Sequence, residues 1–194
     1  MLSERLARVR RAMEREGVDG LAVFCAEYDN SANIRYLSSF GGSFAIVVLS
    51  PSDARLITDS RYFLQAEEES PLPLVRIAGR DPWPAVAATL ADMKIRTLGF
   101  ETERLHVDAF RRLEALHPDL RELDRFLLAL RAVKDAQEIG CLREACRIVS
   151  DAFVAFLPSL RPGRTEAEVA ADLVHEVRLR GARQLAKGHF VVAS

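Results

Sequence analysis

Hydrophobic positions in the first third of the chain alternate between a helical period and short continuous runs. Leu6, Val9 and Met13 recur at helical spacing between Ser3, a candidate N-cap, and Gly17, a candidate stop, which predicts a helix over residues 3–16. Leu21-Ala22-Val23-Phe24-Cys25 is too short and too evenly apolar for anything but a buried strand. A polar loop at residues 28–31 follows, and Phe44 to Leu49 is a second apolar run. Its turn, Ser50-Pro51-Ser52-Asp53, leads into Arg55-Leu56-Ile57-Thr58 and predicts a hairpin. Further on, helical patterns at 61–69, 81–93 and 107–116 alternate with strand-like runs at 74–77, 97–101 and 120–123. This order implies an α/β fold, a mixed β-sheet flanked by helices, over residues 1–124.

From Arg125 the pattern changes. Residues 125–134 are helical and apolar, a junction expected to couple its two sides rigidly. Asp135 with Glu138 three residues on is a capping-box start, and Ile139, Leu142, Cys146, Val149, Phe153 and Phe156 form one helical stripe. Pro158 should end that helix near Leu157, since proline lacks the amide hydrogen and its ring crowds the preceding turn. Pro162-Gly163 makes a turn, Thr165 with Glu168 caps a second helix bearing Val169, Leu173 and Val177, and Gly181 stops it. Gly188 to Ser194 then reads as a strand. Two helices and a strand do not make a domain, so residues 135–194 are read as the start of one.

Composition narrows the class. The 194 residues are 49% hydrophobic and 28% charged, an ordinary globular balance. With 27 basic and 28 acidic residues and no basic block, nothing favours nucleic acid as a partner. No apolar run approaches the roughly 20 residues that span a bilayer, and the arginine-rich start has no signal-peptide pattern. Three cysteines, Cys25, Cys141 and Cys146, cannot close a disulfide framework, so the expected location is cytoplasmic.

The search for chemistry finds little. The four histidines, His106, His117, His175 and His189, include no ligand-spaced pair. His175 beside Glu176 reads as an exposed helical histidine, and His117 as a capping or solvent residue. Cys25, in an apolar strand, reads as an inert thiol. Gly41-Gly42 lacks the spacing and lysine of a phosphate loop and reads as a hairpin lead-in or bulge. Asp59, Glu101 and Glu103 lie at strand ends, where open α/β sheets assemble sites, but acids beside arginines read first as caps and surface ion pairs. No catalytic residue and no metal ligand is assigned.

Several motifs nevertheless agree in one order. Asn33-Ile34-Arg35-Tyr36-Leu37-Ser38-Ser39-Phe40, Leu56-Ile57-Thr58-Asp59-Ser60-Arg61-Tyr62 and Leu98-Gly99-Phe100-Glu101 resemble the N-terminal domain of the creatinase/prolidase family, with Ser39 where the family has glycine. The stretch from Leu130 to Ile139, with Arg131, Lys134 and Glu138, resembles the family's junction. Pro162-Gly163-Arg164-Thr165-Glu166-Ala167-Glu168-Val169 is similar to its P-G-x-T-E-x-E-V turn, and Val191 to Ser194 to its I-V-A-S strand.

The resemblance implies a creatinase N-terminal, ribonuclease H-like domain followed by the first two helices and first strand of an incomplete pita-bread domain. In a full-length relative it implies two divalent ions, manganese, cobalt or zinc, activating a water that cleaves Xaa-Pro bonds in a proline-containing peptide. The five metal ligands would lie beyond Ser194, so this chain is expected to hold no cofactor and to be inactive alone, as part of an Xaa-Pro dipeptidase or aminopeptidase P. Metal-free hydrolysis, as in creatinase, needs a histidine from the same missing part, and fold likeness alone carries no ribonuclease residues. The resemblance also implies a homodimer in which a loop holding Arg35 and Tyr36 lies near the partner's active site. Asn33, Asp59, Arg61, Tyr62, Arg131, Lys134, Glu138, Pro162, Gly163 and Glu166 are implied to be structural.

A physical consequence stands beside these. Each buried apolar side chain contributes roughly 1.5–3 kcal/mol, so leaving five or six of the Ile139–Phe156 stripe in water costs on the order of 10 kcal/mol. A cover is expected, and the alternative to an enzyme fragment is a free-standing dimerisation or binding module.

Overall fold

The structure is a computed structural model that describes residues 2–117 and 119–182. The expected final strand, with His189, lies outside the described residues. The chain divides into two compact units, residues 1–133 and residues 134–194.

The first unit is built on a six-stranded sheet ordered β4-β3-β2-β1-β5-β6. Its strands are β1 (Gly20–Cys25), β2 (Ala45–Leu49), β3 (Ala54–Thr58), β4 (Leu74–Arg76), β5 (Leu98–Phe100) and β6 (Leu120–Glu122). Strand β2 pairs antiparallel with β1 and β3, and every other pairing is parallel. The expected mixed sheet and hairpin are therefore present.

Side-chain alternation sends the central strands to two cores. Leu21, Val23, Cys25, Val47, Leu49 and Leu56 face α1 (Leu2–Arg15), α2 (Ser31–Ser38) and α6 (Phe126–Ala132). Ala22, Ile46, Val48, Ile57, Leu98 and Phe100 face α4 (Trp83–Asp92) and α5 (Val107–Leu116). Because both faces are covered, the strands read as continuous apolar runs. Short α3 (Phe63–Glu69) links β3 to β4. Gly99 of β5 has no room for a side chain: a Cβ there would stand 2.5 Å from Leu123 Cδ1 and 3.3 Å from the Gly20 carbonyl oxygen.

The second unit contains α7 (Ala136–Phe156) and α8 (Glu166–Leu179). Both start with complete capping boxes, Asp135 with Glu138 and Thr165 with Glu168, as their spacing predicts. A 3-10 turn at Leu157–Ser159 ends α7 where Pro158 forbids it to continue. Along α7, Ala152 and Phe156 are buried, while Ile139, Leu142, Val149 and Phe153 are exposed. Among the described residues no helix is long and apolar enough to cross a membrane.

Helix α2 is the element that hydrophobic pattern did not predict. It ends on Ser39 at φ 67°, a left-handed conformation that brings a Cβ against the backbone. Here the resembled motif has glycine. Ser39→Gly is expected to raise the stability of this unit by about 0.5–1 kcal/mol, the relief of left-handed strain less the extra freedom glycine gives the unfolded chain. Urea unfolding followed through Trp83, the single tryptophan, measures it; an unchanged or lowered midpoint contradicts it.

Candidate functional site

Three of the sequence motifs meet at one buried point. Strand β5 ends at Phe100, and the next residue, Glu101, is only 7% exposed. Its Oε2 accepts a hydrogen bond from Asn33 Nδ2 at 2.8 Å, and its Oε1 accepts from the Leu127 amide at 2.7 Å. The Asn33 Oδ1 in turn accepts from Arg131 Nη1 at 2.7 Å. Helix α6 follows Arg125 in a left-handed conformation with no side-chain cap of its own. Glu101 therefore supplies, from 26 residues upstream, the acceptor that the helix start lacks. Burial pushes the Glu101 carboxyl above its ordinary range, against the opposing pull of the Leu127 amide, Arg104 and Asn33. Glu101 thus caps a helix distant in sequence, in keeping with the expected capping role, while buried hydrogen bonds take the place of the expected surface ion pair. Glu103 is exposed in a 3-10 turn at Thr102–Arg104.

Arg35 and Tyr36, expected in a loop, lie inside helix α2. Tyr36 is buried, its hydroxyl accepting from Arg8 Nη2 at 2.6 Å and its ring lying under Arg5 and Arg8. Arg35 is exposed. After β3, Asp59 turns the chain: it accepts from the Arg61 amide at 3.0 Å and from Arg61 Nη2 at 2.9 Å. That guanidinium holds the Asp59 carboxyl below its ordinary range, against a smaller effect of burial. Tyr62 packs edge-on against Phe40 and shares a 2.5 Å hydrogen bond with Ser43 Oγ. The Gly41-Gly42 pair leads into β2, and the Gly41 amide donates to Glu69 Oε2 at 2.7 Å.

In the second unit Lys134 is the first residue and Glu138 closes the α7 capping box. Gly163 takes φ 92° after Pro162, and Glu166 opens α8. His117, expected as a capping or solvent residue, is the C-cap residue of α5 and is buried there, where its Nε2 donates to the Ile95 carbonyl at 3.0 Å. Cys25 is buried and its thiol is pushed up by that burial. Among the described residues no group of three or more His, Cys, Asp or Glu side chains is placed to hold a metal ion, so they do not fit a metal centre.

The Glu101 network is what sequence reasoning missed. Its partners stand 68 and 26 residues away along the chain, and Arg131 is 98 residues from Asn33, so no local spacing announces it. The available signal was a carboxylate directly after an apolar strand and ahead of an uncapped helix.

The raised pKa fixes a sign. The folded state holds the Glu101 proton more tightly than the unfolded chain, so this contribution to stability is full below the ordinary value of 4.5 and is lost as pH rises through the higher folded value. Unfolding of the first unit is expected to show that decline as pH rises above 4.5, and Glu101→Gln to flatten it. Urea midpoints across that range, with an identical slope in both proteins, would contradict it.

Residues 5–133 match the creatinase/prolidase N-terminal domain, and residues 140–194 match the metallopeptidase family M24. An uncharacterized peptidase of Bacillus subtilis, YqhT, is 30% identical over 180 residues, which are 92% of this chain and 50% of that protein. An Xaa-Pro dipeptidase structure from Bacillus anthracis superposes with a TM-score of 0.85 at 30% identity, covering 94% of this chain and 50% of that one. An X-Pro aminopeptidase structure from Thermotoga maritima gives 0.81 at 33% identity, covering 89% and 50%. The chain spans about half the length of the relatives it matches. The order of motifs, the mixed sheet and these matches agree, and the chain belongs to the creatinase/prolidase family, with residues 5–133 forming its N-terminal domain.

Proposed function

We propose that this chain is the N-terminal portion of a proline-specific metalloexopeptidase that cleaves Xaa-Pro bonds. Residues 1–124 would be the creatinase-type domain, 125–134 the junction, and 135–194 the first part of the pita-bread domain. The observation that carries the reading is the span: the match to the metallopeptidase family starts at residue 140, and this chain covers half of the Bacillus subtilis peptidase and of the Bacillus anthracis dipeptidase structure. On this reading two divalent ions, manganese, cobalt or zinc, are held by residues this chain does not supply. A two-metal centre generates and clamps the attacking hydroxide, so a chain without it has no partial activity to retain. The named motif residues then have structural duties, with Asn33 and Arg131 in the Glu101 network and Asp59, Arg61 and Tyr62 at the turn after β3.

A second reading, a dimerising module, is favoured by one observation. Ile139, Leu142, Val149 and Phe153 expose an apolar stripe on α7 that a second copy would cover. Of the two residues implied to lie near a partner's active site, Arg35 is the accessible one, since Tyr36 is buried. The purified 194-residue chain with added manganese is expected to release no proline from an Xaa-Pro dipeptide and to scatter light as a dimer at micromolar concentration. Turnover above the metal-only rate would overturn the first reading, and a monodisperse monomer the second.

A further inference from the structure

The carboxyl ends of the sheet strands frame a groove that the Glu101 network does not use. One part of it is a notch of about 170 Å³ walled by Phe24, Phe44 and Trp83, with the Phe24 and Trp83 rings 5.7 Å apart. The adjoining part, about 380 Å³, shares Phe44 and Pro82 with the notch and is lined also by Arg61 and Arg80. The two therefore border each other across Phe44 and Pro82. Open α/β sheets offer ligands this edge, where loops from several strands converge.

Charge decides what fits. The acidic groups of the groove are already engaged: Asp29 with His106 and the Ala26 amide, Asp108 with Arg112, and Asp59 with Arg61. The exposed Arg80 makes no ion pair among the described residues. Arg104, which also lines the notch, donates to the Asp29 carbonyl at 3.2 Å. A groove with satisfied carboxylates, the unpaired Arg80 guanidinium and an aromatic notch selects an anion next to an apolar group, not a cation. A guanidinium receives a carboxylate through two parallel N–H donors, a geometry that an amide does not reproduce. The notch has room for a single aliphatic side chain.

We propose that this groove binds an apolar amino-acid residue by its free carboxylate, with the carboxylate on Arg80 and the side chain against Trp83. The ligand is either a free apolar amino acid or the C-terminal residue of a short peptide. The proposal does not rest on the peptidase reading, because it uses no metal and no hydrolysis.

Trp83 is the chain's only tryptophan, so intrinsic fluorescence reports on the notch directly. The full 194-residue chain is titrated with leucine, glycyl-leucine and glycyl-leucinamide. A saturable change with glycyl-leucine is expected, at a Kd on the order of 1 mM for a ligand of about a dozen heavy atoms. The amide is expected to bind at least about tenfold more weakly, as is glycyl-leucine to Arg80→Ala, whose exposed site leaves folding intact. If leucine matches glycyl-leucine, the ligand is the free amino acid; if only the dipeptide saturates, it is a peptide C-terminus. Equal binding of acid and amide, undiminished binding to Arg80→Ala, or no saturable change with either acid would overturn the proposal. Calorimetry with Phe44→Leu, which narrows no charge but reshapes the notch, separates side-chain selection from carboxylate binding: unchanged affinity for glycyl-leucine there would overturn the assignment of the side chain to the notch.

Discussion

A buried carboxylate must be compensated, and the way Glu101 is compensated ties the first unit together. Its two oxygens reach the Leu127 amide at the start of α6 and Asn33 on α2, and Asn33 passes the connection on to Arg131 near the end of α6. Helix α6 is therefore held at both ends by one network that begins on a strand. An ionised carboxylate in low dielectric is costly when unpaired, while hydrogen bonds to charged groups are stronger than neutral ones. Each member therefore depends on the others keeping their place. This gives a physical meaning to three separate family motifs, because they supply the acceptor, the bridge and the donor of a single cluster.

The rest of the unit is arranged so that this cluster can exist. Two apolar cores, one on each face of the sheet, fix α1, α2 and α6 on one side and α4 and α5 on the other. Close approach at Gly99 lets Leu123 pack directly on β5, one residue pair away from Glu101. The turn at Asp59 and the Tyr62–Ser43 hydrogen bond set the opposite end of the same side, through Phe40 at the exit of α2. In this unit Glu101, Asn33 and Arg131 join the end of β5 to α2 and α6 by direct hydrogen bonds.

Most of the fold was legible in the sequence because it is written locally. Apolar runs gave the central strands β1, β2 and β3, and the capping pairs Asp135–Glu138 and Thr165–Glu168 gave the starts of α7 and α8. Pro158 and Gly181 gave their ends. Helix α2 was not legible: it is eight residues long, lacks a side-chain cap, and stops on a serine in a conformation usually left to glycine. The site was legible only as a set of motif letters. Asn33, Glu101 and Arg131 each fall in a stretch that resembles a family motif, but nothing in the sequence joined them, because the contacts between them span up to 98 residues and depend on the sheet having formed. His117 shows the same limit, since its burial beneath the loop before β5 follows from packing and not from its neighbours in sequence.

The central claim is that Asn33, Glu101 and Arg131 act as one unit, and a double-mutant cycle on Asn33→Ala and Arg131→Ala tests it most directly. Unfolding in urea, followed through Trp83, gives the stability of each single variant and of the pair. The account predicts a coupling energy of about 0.5–3 kcal/mol, with the double variant less destabilised than the two singles summed. Additivity within about 0.3 kcal/mol would show the residues to be independent and contradict it.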